Sequence, residues 1–305
     1  MRHSLAPCAK LPDKAQGPDP NLSTPAGLRP NFSGMLVRTA LIAGLIGLGT
    51  LSSPASAEDT PVDLELVLAV DVSRSMTARE QEIQRRGYAE ALVSEEVIAA
   101  IKNGGYGRIA LTYVEWAGAL LQNTVVDWTL ISSREDIEAF VAKLSVNLPD
   151  SLRRTSISGA IEYAIPLFDR NGFAGLRRVI DISGDGPNND GGLVTNSRDK
   201  AVSRGIVING LPLMTREGMG AQWHLDDLDV YYKECVIGGT GSFVIPVLDW
   251  ADFPQAVRRK LVLEVSGILT GPAIMPPSVR PIPVVDGYDC LIGEKIWRDL
   301  FDDRY

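Results

Sequence analysis

From residue 62 the chain alternates between short apolar runs and amphipathic stretches. Val62-Asp-Leu-Glu-Leu-Val-Leu-Ala-Val70 ends in unbroken apolar residues, the pattern of a parallel strand covered on both faces. Thr77-Ala-Arg-Glu80 is a capping-box sequence. It opens a long helical stretch with Ile83, Ala91, Leu92, Ile98 and Ile101 at helical spacing, which Gly104-Gly105 closes. Arg108 to Trp116 reads as a second strand. Leu120 to Leu130 reads as a third, joined by a short Ala-Gly-Ala link that suits an antiparallel hairpin. Ser133 to Leu144 is helical, and a further helix starts near Thr155, with Pro166 ending its regular part. Arg178 to Ser183 is a strand, Ser197 to Ser203 a helix, and Gly205 to Leu211 a strand. Leu225, Leu228, Tyr231 and Tyr232 suggest a short acidic helix, and Ser242 to Pro246 a last short strand. Asp252 then caps a helix carrying Val257, Leu261 and Val265.

Strands alternating with helices across short loops predict an α/β fold. The expected sheet is doubly wound and mostly parallel, with one antiparallel edge strand and helices on both faces. The folded domain is expected over 58–268, and 269–305 reads as a Pro-rich C-terminal extension on the surface. Residues 1–34 are rich in Pro, Gly, Asn and Ser and have no sustained apolar period; they read as disordered or as an over-extended start. Residues 35–57 have the order of a secretory signal: a short basic start ending at Arg38, an apolar run from Ala40 to Leu48, and Ala55-Ser-Ala57 as the cleavage site. A membrane anchor needs roughly 20 apolar residues. This run is shorter and is interrupted by glycine, so export with cleavage is expected, to the periplasm or the outside of the cell.

Composition sharpens that picture. The chain has 305 residues, 45% of them hydrophobic and 22% charged, enough to bury a substantial core. Its net charge of −8 becomes −11 when the five basic and two acidic residues of the leader are removed. An acidic surface argues against broad phosphate-backbone binding and so against nucleic acid. Of three cysteines and two histidines, the leader carries Cys8 and His3. Little remains for a zinc site. In an oxidising compartment Cys235 and Cys290 are candidates for one bridge tying the C-terminal extension to the domain, against two separate buried thiols.

The chemistry concentrates after the first strand. Asp71-Val-Ser-Arg-Ser75 lies between that strand and its helix, and ligands of open α/β sheets bind at the carboxyl ends of strands. Three oxygen side chains at alternating positions of a turn can point into one small space, and hard divalent cations take oxygen ligands. Thr155, at the start of a helix, and Asp185, just after a strand, should open on the same edge.

This set resembles the von Willebrand factor A domain and its metal-ion-dependent adhesion site, whose signature is Asp-x-Ser-x-Ser followed by a Thr and an Asp in separate loops. Asp71, Ser73 and Ser75, with Met76 after them, match the first element. Thr155 within Arg154-Thr-Ser-Ile-Ser-Gly-Ala160 matches the second, and Asp185 within Ile182-Ser-Gly-Asp-Gly186 the third. Trp116 stands where that family has an aromatic residue ending its second strand. The sequences Ile-Ser-Gly-Asp-Gly-Pro-Asn-Asn and Cys-Val-Ile-Gly-Gly are similar to those of a bacterial exported family of this fold without assigned function, domain-of-unknown-function family 1194. The common third element has Thr or Ser directly before its Asp, whereas Gly184 intervenes here. Asp181 on the strand is the alternative to Asp185, either as ligand or as a hydrogen-bonded strand residue. The resemblance implies a Rossmann-like sheet and one divalent cation, Mg²⁺ first and Mn²⁺ or Ca²⁺ after it. The cation would be held by Asp71, Ser73, Ser75, Thr155 and Asp185. It also implies a protein or other partner that supplies a carboxylate to the cation.

Enzyme readings compete with that one. A Ser–His–Asp hydrolase needs a general base; His224 is the sole histidine after the leader, and there is no G-x-S-x-G elbow. A metal-dependent phosphate-ester hydrolase using the same pocket is the stronger rival, but Ser73 occupies the position of its second carboxylate. Gly238-Gly-Thr-Gly241 precedes a strand rather than a helix and reads as a turn. Arg153-Arg154 beside Thr155 is either an anion-steering pair or a solvated one. Asp226, Asp227 and Asp229 lack the spaced pattern of a calcium loop and read as a solvated helix face. The expected function is metal-dependent binding rather than catalysis.

Overall fold

The computed structural model describes residues 58–144, 154–215, 225–267 and 287–302. The export segment 35–57 with the residues before it, Arg153, His224 and the proline-rich stretch 269–286 lie outside these residues.

β1 (Thr60–Val62) leads into β2 (Glu65–Asp71), all of whose residues are buried, as its unbroken apolar run requires. α1 (Ala78–Leu92) begins at the capping box: Glu80 N donates to Thr77 Oγ1 at 3.2 Å and Thr77 N to Glu80 Oε2 at 2.6 Å. The long helix expected here is two helices. Ser94 donates to Ala91 O at 2.7 Å and accepts from Val97 N, so one side chain ends α1 and caps α2 (Glu95–Lys102). Apolar periodicity carries across such a break, and so hid it.

β3 (Ile109–Trp116) is fully buried, and β4 (Gln122–Ile131) pairs with it antiparallel at the edge, half-exposed. α3 (Arg134–Val141) carries a second capping box at Ser133. α4 (Ile157–Ala164) is capped by Ser156, and Pro166 falls in the 3-10 turn that ends it. β5 (Phe173–Gly175) pairs in parallel with β1. Two three-residue strands, one containing a proline, offer no period that sequence reading can detect.

β6 (Arg178–Gly184), α5 (Val194–Ser203) and β7 (Ile206–Pro212) complete the sheet. Its order is β4-β3-β2-β6-β7, with every pairing parallel except β3–β4. The expected strand at 242–246 forms a single isolated bridge, Val244 with Gly210, and Val247 just beyond it forms another with Leu213. Pro246 has no amide hydrogen to donate, and the Phe243 amide is taken by the Asn209 side chain at 3.1 Å, so a regular ladder cannot form. α6 (Leu228–Tyr231) runs into a π-helical turn, Tyr232–Val236. α7 (Phe253–Ser266) has Asp252 at its N-cap position but without a side-chain cap bond; Asp249 caps the 3-10 turn just before it. α8 (Ile292–Asp302) lies in the C-terminal extension, where no helix is expected from sequence. A disulfide, Cys235–Cys290, ties that extension to the π-helical turn.

The two faces of the sheet bury separate apolar layers. Leu64, Leu66, Leu68 and Val70 of the central segment pack with α1, α2, α3 and α7, while Val67 and Ala69 pack with α4, α5 and the tyrosine pair of α6 and its π-helical turn. Among the described residues no helix is long and apolar enough to cross a membrane.

Candidate metal centre

Asp71 is the last residue of β2, at the carboxyl rim of the central strand. Its turn is fixed by the backbone first. Val72 N donates to Trp116 O at 2.9 Å, so the chain leaves β2 still hydrogen-bonded to the end of β3. α1 then grips the turn from behind: Gln84 Nε2 donates to Asp71 O at 2.9 Å, and Gln81 Nε2 to Val72 O at 3.1 Å. These glutamines carry no signal in the sequence, because their function is to hold carbonyls that only the fold brings within reach.

Within the turn, Ser73 N donates to Asp71 Oδ1 at 2.7 Å, an Asx turn that directs the carboxylate towards the two serines. Ser73 Oγ and Ser75 Oγ lie 2.9 Å apart, and Ser75 Oγ donates to Asp185 Oδ1 at 2.7 Å. Four of the five expected residues therefore meet in one place, across 110 residues of chain. Asp71 and Ser73 form its closed side, while Ser75 and Asp185 are partly exposed.

Thr155 stands on the same rim but joins no hydrogen bond to this group among the described residues. Its backbone exchanges two bonds with Asn189, Thr155 N to Asn189 Oδ1 and Asn189 N to Thr155 O, both at 2.9 Å. The next residue, Ser156, donates its N–H to Ala117 O at 2.7 Å, one residue beyond the end of β3. Arg154 has φ 73°, a left-handed conformation uncommon for a side chain of this size. Its guanidinium bonds Asp190 at 3.0 Å and lies over the Trp297 ring of α8 at 4.7 Å, while the side chain stays exposed.

The loop after β6 ties these pieces together. Asn188 accepts from Ser158 N at 2.9 Å, donates from its backbone to Tyr231 Oη at 3.1 Å, and donates from Nδ2 to Glu294 Oε1 of α8 at 2.8 Å. Asp190 accepts from Ala119 N at 2.9 Å. Asp181, the alternative third-loop acid, points into the core, where its Oδ1 lies 2.5 Å from Lys260 Nζ. That geometry separates it from the rim.

The electrostatics fit a cation. Asp71 is fully buried, and its Oδ2 accepts no hydrogen bond from the described residues. An uncompensated carboxylate oxygen of this kind is costly. Burial raises the Asp71 pKa well above the ordinary carboxylate value and the charge of Asp185 raises it further, against hydrogen bonds from Ser73 and the Asp185 backbone. Asp185 is raised to about 6, by burial first and by Glu80, against the Ser75 hydroxyl. Two mutually repelling carboxylates and two adjacent hydroxyls make an oxygen donor set that a hard dication relieves. Among the described residues no three His, Cys, Asp or Glu side chains gather as a metal holder, so a cation here depends on the hydroxyls.

Solved structures that resemble this chain include proximal thread matrix protein 1 from the mussel byssus, with a zinc-occupied metal-ion-dependent adhesion motif. It is 13% identical, with a TM-score of 0.46 over 69% of this chain and 47% of that one. The chain thus spans about half the length of the mussel protein. A von Willebrand factor type A protein from Catenulispora acidiphila is 11% identical, with a TM-score of 0.47 over 67% of this chain and 43% of that one. The conserved hypothetical protein BatB from Bacteroides thetaiotaomicron is 18% identical, with a TM-score of 0.43 over 67% of this chain and all of its own. No curated protein matches. Over residues 61–269, which take in the whole sheet and all three loops of the rim, the chain belongs to the family described as protein of unknown function DUF1194.

Proposed function

We propose that this protein is an exported binding module that holds one divalent cation, Mg²⁺ first, and recognises a carboxylate-bearing protein partner through it. The single observation that carries the reading is the buried, unpaired Oδ2 of Asp71 beside the linked oxygens of Ser73, Ser75 and Asp185. Asp71 and Asp185 would hold the cation directly or through water, with Ser73, Ser75 and Thr155 as neutral hydroxyl donors. A bound cation would present an electrophilic position that a carboxylate from outside can occupy. The residues of the chain set the selectivity of that position. Because only two of the five donors are charged, positive charge is left for a foreign acid. Because the protein carries a formal charge of −11 after loss of the leader, acidic partners are repelled at long range and must be recognised at contact. Adhesion and binding rather than turnover is the function that suits this set: Ser73 stands where a phosphohydrolase would need its second carboxylate.

Titration calorimetry with MgCl₂ and MnCl₂ on the wild type and Asp71→Ala tests the ligand set. Loss of an outer-shell group costs about 10–100-fold in metal affinity, so loss of Asp71 should cost at least that. Equal affinity in the two proteins would refute the assignment. Capture of a partner from envelope extract should then be lost both with chelator and with Asp71→Ala.

A further inference from the structure

α8 begins at Ile292, beyond residue 269 where the family match ends, yet it packs against two of the three loops of the rim. On the loop after β6, Gly293 lies against Asn188: an added β-carbon would fall 2.0 Å from the Asn188 carbonyl oxygen. Glu294 Oε1 accepts from Asn188 Nδ2 at 2.8 Å. On the loop before α4, the Arg154 guanidinium lies 4.7 Å over the Trp297 ring. Both contacts lead to Thr155, the expected donor that stands apart from the Asp71 group.

Asn188 is where the contacts converge. It is fully buried, and both polar atoms of its side chain are used. Nδ2 also donates to Gly192 O at 3.1 Å, and Oδ1 accepts from Ser158 N, in the first turn of α4, at 2.9 Å. Its backbone N donates to Tyr231 Oη at 3.1 Å. Tyr231 ends α6 and runs into the π-helical turn that holds Cys235, while Cys290 stands just ahead of α8. The disulfide therefore joins the two segments that both bond Asn188. Asn189, the next residue, exchanges its two bonds with the Thr155 backbone. Arg154, on the other side of Thr155, has φ 73°. A side chain keeps that conformation only where its surroundings hold it, and here Asp190 and Trp297 do so.

We propose that α8 is a clamp on the metal centre, with Glu294 and Trp297 as positioning residues that fix, through Asn188 and Arg154, where Thr155 stands on the rim. The inference rests on the metal-binding reading of the site, with Thr155 among its donors. The affinity of an oxygen site for a hard cation depends on the rigidity of its donors as well as on their charge. A neutral hydroxyl relies on the former. Neither Glu294 nor Trp297 is itself a ligand.

MnCl₂ titrated into the full chain and its variants tests the clamp. Glu294→Ala should weaken binding about tenfold, the lower end for loss of a group one step removed from a metal. Glu294→Gln keeps an acceptor for Asn188 Nδ2 and should bind as the wild type does. Thr155→Ala should weaken binding too, and on that background Glu294→Ala should cost nothing more, because a residue that acts through Thr155 has no effect once the hydroxyl is gone. The same loss on both backgrounds marks a merely structural contact and overturns the inference. So does unchanged affinity in Glu294→Ala, or an equal loss in Glu294→Gln, which marks the charge of Glu294 rather than its hydrogen bond. Unchanged affinity in Thr155→Ala while Asp71→Ala abolishes binding removes Thr155 from the ligand set and overturns the clamp alone. No binding by the wild type, or binding indifferent to Asp71→Ala, overturns the reading of the site and this inference with it. If Glu294→Ala does not fold, Trp297→Ala, which alters no charge, decides on the same two backgrounds: a loss seen only where Thr155 is present supports the clamp, and any other result overturns it.

Discussion

Gly87 lies where α1 crosses α7, and its lack of a side chain is a packing requirement. A β-carbon there would come within 2.4 Å of Phe253 Cδ1 and 2.6 Å of Cε1. Phe253 is fully buried, with Tyr88 edge-on to it at 5.9 Å and Trp250 at 5.6 Å, so the ring has nowhere to go. Gly87→Ala gains about 1 kcal/mol of helix propensity but loses about 1–3 kcal/mol to overpacking. A lower urea midpoint is the expected outcome, and a stabilised variant would contradict the contact. At this scale the sequence was most legible where chemistry is local. The Asp71 turn could be read because three donors lie within five residues, and the structure brings its side chains together with Asp185. The choice between Asp181 and Asp185 was not legible in the same way. Four residues apart, the two acids would share one face of a regular strand; β6 ends at Gly184, and the turn after it carries Asp185 to Ser75 while Asp181 meets Lys260 in the core. Gln84 gave no signal at all, since it holds the Asp71 carbonyl from thirteen residues further along the chain.

The elements show where apolar period succeeds and where it fails. Strands buried on both faces, β2, β3, β6 and β7, announce themselves as continuous apolar runs, and the antiparallel edge β4 follows from its short link. The break at Ser94 and the pair β1–β5 do not, the first because a polar cap leaves the apolar spacing intact, the second because three residues carry no period. α8 is a further case. Ile292 packs against the apolar layer, Glu294 bonds Asn188, Trp297 lies over Arg154, and Gly293 sits so close to Asn188 O that a β-carbon would fall 2.0 Å from it. The disulfide, spanning 55 residues, adds a covalent tie just ahead of the helix. In the chain-entropy account a loop of that length is worth about 4 kcal/mol, and native bridges cost about 2–5 kcal/mol when removed. Reduction, or Cys290→Ser, should lower the guanidinium unfolding free energy by about 2–4 kcal/mol. It should also make the C-terminal helix the first segment cut by protease. Equal protection of that helix with and without reductant would mean that the side-chain contacts hold it unaided.

Stability of the whole molecule should depend on pH through a buried group that joins three elements. Lys260 Nζ of α7 lies 2.5 Å from both Asp181 Oδ1 of β6 and Glu264 Oε1. Asn209 of β7 donates to the same Glu264 oxygen at 2.9 Å, Phe243 packs its ring 5.5 Å from the ammonium, and Tyr88 faces Asp181 from α1. Two carboxyls share one lysine inside the core, so one negative charge is left over if both ionise. Burial, with Glu264 adding and Lys260 opposing, raises the pKa of Asp181 to about 7. A carboxyl whose pKa is higher folded than unfolded holds its proton more tightly in the native state. Between its ordinary value and pH 7 the folded protein therefore binds more protons than the unfolded chain, and stability falls as pH rises. Holding that proton up to about pH 7 corresponds to roughly 4 kcal/mol as an upper bound. Asp71 and Asp185 push in the same direction in the absence of metal, so the contribution of the core must be taken by difference. Urea unfolding of wild type and Asp181→Asn, both in chelator, between pH 4.5 and 7.5 isolates it. The decline should be shallower in Asp181→Asn, which keeps the Lys260–Glu264 pair and removes the surplus charge, and at pH 7.5 the variant should be the more stable protein. Parallel curves would mean that Asp181 is ionised throughout, stabilised by Lys260 against both burial and Glu264.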